Sequence, residues 1–282
     1  MAANISIIGG RSSLIATVGG PQNNTFYRRR HSCRPFTVKS DRNHRSTQIQ
    51  EFFMRIVMVL TSHSELGDTG EKTGFWLEEF AAPYYTFVDA GAEVVIAAPE
   101  PGHPPIDPRS SEPENLTDAT HRLKHDVAAK SKLANPITLD QVNVREADAL
   151  FFPGGHGPMW DLANSDAAAK LVEEFYAQNK VIGAVCHGPA AFVKAQTPEG
   201  TSILQGKQLT GFTNAEERAV QLDQVVPFEL ETRLRELGGE FSQADVFQPH
   251  VVTDGLLVTG QNPPSSASTA QAIVKLLSRV PA

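Results

Sequence analysis

Cysteine is nearly absent from this 282-residue chain, which holds only Cys33 and Cys186. Two cysteines make no disulfide framework, and such sparse usage suits a reducing compartment. Long apolar runs are missing too: none approaches the roughly 18 residues a membrane-spanning helix needs, so no membrane contact is expected. There is no basic excess, and a net charge of −7 argues against nucleic acid as the main partner. Neither a P-loop nor a dinucleotide fingerprint occurs, and the body carries no internal repeat or low-complexity tract. What is present is ordinary globular composition, 40% hydrophobic and 20% charged, over a length ample for a full core.

The charge is unevenly spread. Residues 1–53 carry Arg11, Arg28, Arg29, Arg30, Arg34, Lys39, Arg42 and Arg45 against Asp41 and Glu51, a net +6 that leaves −13 on the remainder. A basic arm on an acidic body marks a tail or a processed segment rather than a fold. Two readings stand: an organelle transit peptide, or a disordered extension upstream of a true start at Met54. The expected location is correspondingly the cytoplasm, or an organelle matrix if the arm is a transit peptide.

From residue 54 onward the pattern alternates. Residues 55–60 form a short apolar run that reads as a buried parallel strand. Residues 61–72 are a polar loop. Residues 73–90 have apolar positions at helical spacing, with Pro83 as a kink and Gly91 as the stop. Strands are expected at 93–98, 148–152, 181–185 and 207–210, and helices at 121–133, 166–178, 227–237 and 265–277. Residues 251–252 and 256–259 suggest a hairpin around Asp254-Gly255. The stretch 99–140 holds five prolines by Pro108 and reads as an insertion covering a site or an interface. This alternation predicts an α/β fold: a single domain over 54–282, a three-layer α/β/α sandwich with a mostly parallel, flavodoxin-like sheet. Right-handed crossovers would bring residues 61–72, 154–158 and 186–187 together at the strand C-terminal ends, where ligands bind in such sheets.

The chemistry concentrates at Cys186. The buried run 181–185 leads into Cys186-His187-Gly188-Pro189, where Gly188 permits a tight turn and Pro189 suits the first position of a helix. Unpaired N–H groups at a helix start favour an anion, so the thiol is expected to titrate below its ordinary range, with His187 as its base or cationic partner. Gly154-Gly155-His156-Gly157 follows another strand and could cradle an oxyanion, or simply turn the chain. Glu78 and Glu79 sit early in the first helix; one of them facing inward would have a raised pKa and could move protons. Glu216 or Glu217 could orient His187 as a triad acid does. His121 and His125, four apart, read as a solvated helix face rather than a metal site, and His250 could reach the site from a late loop.

Taken in order, these motifs resemble the ThiJ/PfpI superfamily, a branch of the class I glutamine amidotransferase-like fold, and within it the glyoxalase III-like, heat-shock-type subgroup. The motifs are Thr73-Gly74 with Glu79 and Pro83, then Phe152 to Gly157, Ala184 to Ala190, Thr210 to Thr213 with Glu217, and Asp254-Gly255 with Thr259 to Pro263. The resemblance implies a nucleophile elbow at Cys186 with His187 as its partner. Glu217 aligns with the triad acid, neighbouring Glu216 leaving a one-residue ambiguity, and Glu79 matches a glutamate that touches the cysteine. Gly154, Gly155, His156 and Gly188 fall at the oxyanion and substrate-binding positions. The implied activity is glutathione-independent conversion of methylglyoxal, a small 2-oxoaldehyde, to D-lactate by a homodimer, with no metal or organic cofactor required.

Rival readings are a holdase chaperone, a protein deglycase, a redox sensor acting through Cys186, a cysteine peptidase and an amidotransferase. The last would need a late His-x-Glu pattern, and the chain reads His250-Val251-Val252 there.

Overall fold

The computed structural model describes residues 54–278. The basic segment 1–53, with both readings of it, lies outside the described residues. The strands form where the sequence is continuously apolar. β1 (Arg55–Val59), β2 (Glu93–Ala98), β3 (Ile137–Thr138), β4 (Ala149–Phe152) and β5 (Val181–Val185) are parallel neighbours, and every residue of β4 and β5 is buried. A two-stranded parallel pair, β6 (Gln208–Leu209) and β7 (Glu240–Phe241), stands apart from them. β8 (Val251–Asp254) and β9 (Leu257–Gly260) are the expected hairpin, turning at Gly255 with φ +59°, and β9 joins β5 in parallel. The main sheet therefore has seven strands in the order β3-β2-β1-β4-β5-β9-β8.

Seven α-helices are described: α1 (Leu77–Asp89), α2 (Asp118–His125), α3 (Val127–Ala134), α4 (Asp166–Ala177), α5 (Asn214–Ala219), α6 (Leu230–Glu236) and α7 (Ser266–Leu277). The step from β1 through α1 to β2 runs one way along the sheet, and the step from β4 through α4 to β5 runs the other. Right-handed crossovers put those two helices on opposite faces. α7 packs beside α1 and over β5. The α/β/α sandwich expected from the alternation is the observed fold. The order in which successive strands are added reverses between the parallel neighbours β1 and β4, the topological switch point at whose C-terminal rim ligands bind. No helix among the described residues is long and apolar enough to cross a membrane.

Several local expectations are corrected. The helix expected over 121–133 is two helices, because the Asp126 side chain accepts from the Ala129 N–H and caps α3 in the middle of the run. The first helix starts at Leu77 rather than Thr73; residues before it pair instead with the 99–140 stretch, through a parallel bridge between Phe75 and Ile106. α1 continues through Pro83, which lacks the N–H that would bond the Glu79 carbonyl. The strand at 207–210 lies in the small second sheet rather than the main one.

Gly183, in the middle of β5, lets α7 approach: a Cβ there would lie 2.4 Å from Ile273 Cδ1. Gly183→Val should overpack this contact and cost about 1–3 kcal/mol in urea denaturation. Adding Ile273→Val should recover part of the loss, because the obstructing atom is the one that change removes.

Candidate active site

Cys186 lies where β5 ends, in a left-handed conformation with φ +58°. Its N–H donates to the Gly260 carbonyl and its own carbonyl accepts from the Phe212 N–H, each at 2.9 Å, so the strained turn is pinned from both flanks. The side chain is 4% exposed. Missing Cβ atoms make room around it: a Cβ on Gly154 would lie 2.6 Å from both Glu79 Oε2 and the His187 backbone nitrogen, and one on Gly188 would lie 2.1 Å from the Phe152 carbonyl oxygen. Gly155 adopts φ +89°, and its N–H acts on the thiol as a donor.

A hydrogen-bonded chain runs away from the sulfur. Cys186 Sγ lies 3.3 Å from His187 Nδ1, and His187 Nε2 donates to Glu217 Oε2 at 2.8 Å. The other carboxylate oxygen, Oε1, accepts from His156 Nε2 at 2.9 Å, and His156 Nδ1 accepts from Arg109 Nη2 at 3.2 Å. Arg109 in turn donates to Asp107, which is fully buried and also accepts from the Thr73 hydroxyl. The His187 ring packs against two others, its centroid 4.2 Å from that of His156 and 4.5 Å from that of Phe212, and those two rings meet edge to face with centroids 6.2 Å apart.

Of the two candidate acids, Glu217 is the one that meets His187. Glu216 turns the other way. Its Oε2 completes a capping box with Thr213, while Oε1 accepts from the Phe247 N–H, Gln261 Nε2 and Asn262 Nδ2 at 2.8–3.0 Å. Of the adjacent pair Glu78 and Glu79, Glu79 faces inward. Its Oε2 accepts from the Gly154 N–H at 2.7 Å, and the Cys186 thiol acts on the same carboxyl. Glu78 bonds the Thr117 hydroxyl at the mouth of the site. His156, placed at the oxyanion by the sequence motif, has both ring nitrogens engaged in the chain behind His187. His250 bonds Ser242 instead of the site, and His121 and His125 are exposed.

Two buried carboxyls are driven in opposite directions. Burial lifts Glu79 to about 8, against weaker downward pulls from the Cys186 thiol and the Gly154 N–H. Burial also acts upward on Glu217, but His187 and His156 overrule it and hold that carboxylate far below the usual range. His156 is held down at about 4, by burial first and then by neighbouring His187. The Cys186 thiol departs from the sequence expectation: burial, reinforced by the Glu79 carboxyl, pushes it well above its ordinary value. The expected helix start is only a five-residue 3-10 turn, Gly188–Phe192, too short to supply the anticipated dipole.

The site opens into a cavity of about 650 Å³, walled by Trp76, Phe212 and Phe247 and floored by Cys186 and His187. The 99–140 stretch supplies Arg109 and a polar rim at Glu112 and Glu114. Asp107 and Arg109 were not found by sequence reasoning, since Asp107-Pro108-Arg109 also reads as an ordinary capped turn. The ligand atoms of His156, His187 and Glu217 lie within 4.8 Å of one another, the geometry of a possible metal site. A metal there would have to displace both Nε2 protons from the carboxylate, beside the positive charge of Arg109.

The pattern of the DJ-1/PfpI family matches residues 72–276, and the chain belongs to that family. Among solved structures it is similar to the Rapid Encystment Protein 24 KDa of Francisella tularensis, at 40% identity and a TM-score of 0.76, covering 80% of this chain and 99% of that one. Glyoxalase III from Candida albicans superposes with a TM-score of 0.73 at 27% identity, covering 79% and 96%. The glutathione-independent glyoxalase hsp3101 of Schizosaccharomyces pombe is 32% identical over 219 residues, 73% of this chain and 88% of that protein.

Glu216→Gln should lower thermal stability, because its Oε1 accepts three N–H donors and an amide oxygen accepts from them less strongly; each charge-assisted bond is worth about 1.5–3 kcal/mol. Glu79→Gln has the opposite sign and a pH signature. Between about 4.5 and about 8 the unfolded carboxyl releases a proton that the folded one keeps, so Glu79 destabilises the fold increasingly as pH rises through that window. The stability advantage of Glu79→Gln over the parent should grow from pH 5 to pH 8 and level off above. Urea denaturation across that range checks it, and a pH-independent difference would contradict the assignment.

Proposed function

We propose that this protein is a glutathione-independent glyoxalase that converts methylglyoxal and water to D-lactate through a hemithioacetal on Cys186. The observation that carries the reading is Glu79. Amide or ester hydrolysis needs a nucleophile, a base and an orienting acid. Moving a hydrogen from the aldehyde carbon to its neighbour needs one more proton carrier beside the nucleophile, still protonated near neutral pH, and Glu79 at about 8 meets that requirement. The similarity to proteins named glyoxalases supports the same conclusion.

The proton steps balance on these residues. His187, its Nε2 proton committed to Glu217, takes the thiol proton at Nδ1 as sulfur bonds the aldehyde carbon, and Glu79 gives its proton to the resulting alkoxide. The Glu79 carboxylate then removes the hydrogen from that carbon while protonated His187 donates to the ketone oxygen, giving an enediol. Glu79 returns its proton to the second carbon as His187 takes one from the first hydroxyl, leaving a lactoyl thioester. Water, deprotonated by Glu79, attacks the thioester, and His187 returns a proton to the departing sulfur. The N–H of Gly155, which acts on the resting thiol, serves in this scheme as an oxyanion donor, a contribution of about 3–4 kcal/mol for one donor in comparable sites.

A holdase role would call for exposed apolar surface on the 99–140 stretch. Within that stretch Val127 is the single exposed large hydrophobic side chain, so the catalytic reading is preferred. The homodimer implied by the family resemblance belongs to the same proposal, and sedimentation velocity measures it.

Cys186→Ala should abolish D-lactate formation from methylglyoxal, assayed without glutathione, while the circular dichroism spectrum stays that of the parent. Retained lactate formation in that variant would sink the proposal.

A further inference from the structure

We infer that His156, held in place by the Asp107–Arg109 pair, is a positioning residue that locks Glu217 onto His187, so that the 99–140 stretch controls the nucleophile through a relay of hydrogen bonds. The inference rests on the reading of Cys186 as the nucleophile.

Asp107 is fully buried on a 3-10 turn, and its two oxygens take the Arg109 backbone N–H, the Arg109 side chain and the Thr73 hydroxyl. The guanidinium is thereby fixed in place. An arginine cannot accept a hydrogen bond and stays protonated, so the His156 Nδ1 facing Arg109 Nη2 must be the acceptor. The single proton of neutral His156 then sits on Nε2 and points at Glu217 Oε1. Glu217 thus receives one imidazole N–H on each oxygen, and it is the partner that fixes the tautomer of His187. Without Arg109, Glu217 alone would still call for the proton on Nε2, but the His156 ring, with nothing held at Nδ1, could turn away and loosen Glu217 from His187.

A plainer alternative is that Arg109 simply lends positive charge to the cavity it lines, gripping the substrate's oxygen. The two ideas separate kinetically. A grip on substrate acts on KM, whereas a positioning chain acts on kcat and on the reactivity of the thiol itself. The titratable and charged groups around the thiol are Glu79 on α1, Glu216 and Glu217 on α5, and His187 and His156, with Arg109 and Asp107 beyond them. The variants below leave the first four unchanged.

The test compares His156→Leu, His156→Gln and the pair Arg109→Met with Asp107→Asn, the second change preventing a buried unpaired carboxylate. Thermal midpoints establish that each variant is folded. Two readouts are taken: steady-state lactate formation, and the pH profile of Cys186 alkylation by iodoacetamide. His156→Leu and the Arg109/Asp107 pair should each lower kcat roughly tenfold or more, the scale of lost supporting partners at other sites. KM should stay within about twofold. Alkylation should slow at pH 7, with its midpoint displaced to higher pH, because a loosened Glu217 leaves His187 a weaker proton acceptor. His156→Gln should restore most of both, since its amide N–H can donate to Glu217 while its carbonyl accepts from Arg109. Combining all three removals should be no slower than His156→Leu alone, as expected when residues act through one another. The inference is overturned if the Arg109/Asp107 pair raises KM with kcat and the alkylation profile unchanged, or if His156→Gln is as impaired as His156→Leu. Should the parent form no lactate, the proposed function falls, while the alkylation profiles still decide this inference.

Discussion

A cysteine at φ +58° sits in a conformation that costs an L-residue about 1–2 kcal/mol, and it persists only because the sheet over-determines it. The Val185 to Gly260 register of β5 and β9 presents the Gly260 carbonyl to the Cys186 N–H, and the segment after β6 presents the Phe212 N–H to the Cys186 carbonyl. Gly260 is itself crowded, since a Cβ there would lie 2.2 Å from Thr269 Oγ1 of α7. The turn therefore cannot relax without shifting a strand or a helix. It lifts the sulfur off the strand axis and brings His187 against both Phe212 and His156. Every other site contact is built around that placement.

The site then divides its protons between two glutamates of identical chemistry. Both are buried, so burial alone would raise both. Glu217 meets two imidazole N–H groups and stays an anion. Glu79 meets one backbone N–H and a thiol, has no conventional partner for Oε1, and holds its proton. In the proposed reaction one carboxyl orients and the other carries, a division set by neighbours and not by residue type. Burial, reinforced by the Glu79 carboxyl, keeps the thiol high as well. An un-ionised cysteine whose proton leaves only as the carbon–sulfur bond forms suits a site where the adjacent acid must stay neutral until the alkoxide appears.

Much of this was legible because the key residues sit directly after continuously apolar strands. Residues 55–60, 148–152 and 181–185 can hardly be anything but buried strands, so Gly154, Gly155, Cys186 and His187 had to share one rim. The choice between Glu216 and Glu217 was not legible. Adjacent residues on a helix point about 100° apart, and only the packing of α5 decides which one meets the histidine. The two-residue strands β3, β6 and β7 are too short to show any periodicity. The break at Asp126 was, by contrast, a readable signal, an Asp three residues before an N–H it can cap, hidden within an otherwise helical run. Asp107 and Arg109 lie in a proline-rich stretch with no period, where one cannot tell which polar side chains turn inward.

That stretch nevertheless governs the environment of the chemistry. Gly74 lacks a Cβ that would lie 2.0 Å from the Pro105 carbonyl oxygen, and this contact lets residues 73–76 pair with 105–107 and carries Arg109 over His156. The result is a floor on which His187 is fully buried and Cys186 nearly so, beneath a mouth edged by Glu78, Glu112 and Glu114. Water is thereby kept from the buried His187, Glu217 and His156 part of the hydrogen-bonded chain, which strengthens each charge interaction there. Carboxylates at the rim favour entry of neutral molecules over anions, an effect that salt screens where those groups are exposed. For the proposed reaction the asymmetry has a direction: a neutral aldehyde enters and a carboxylate leaves, so the same charges that admit the substrate oppose return of the product.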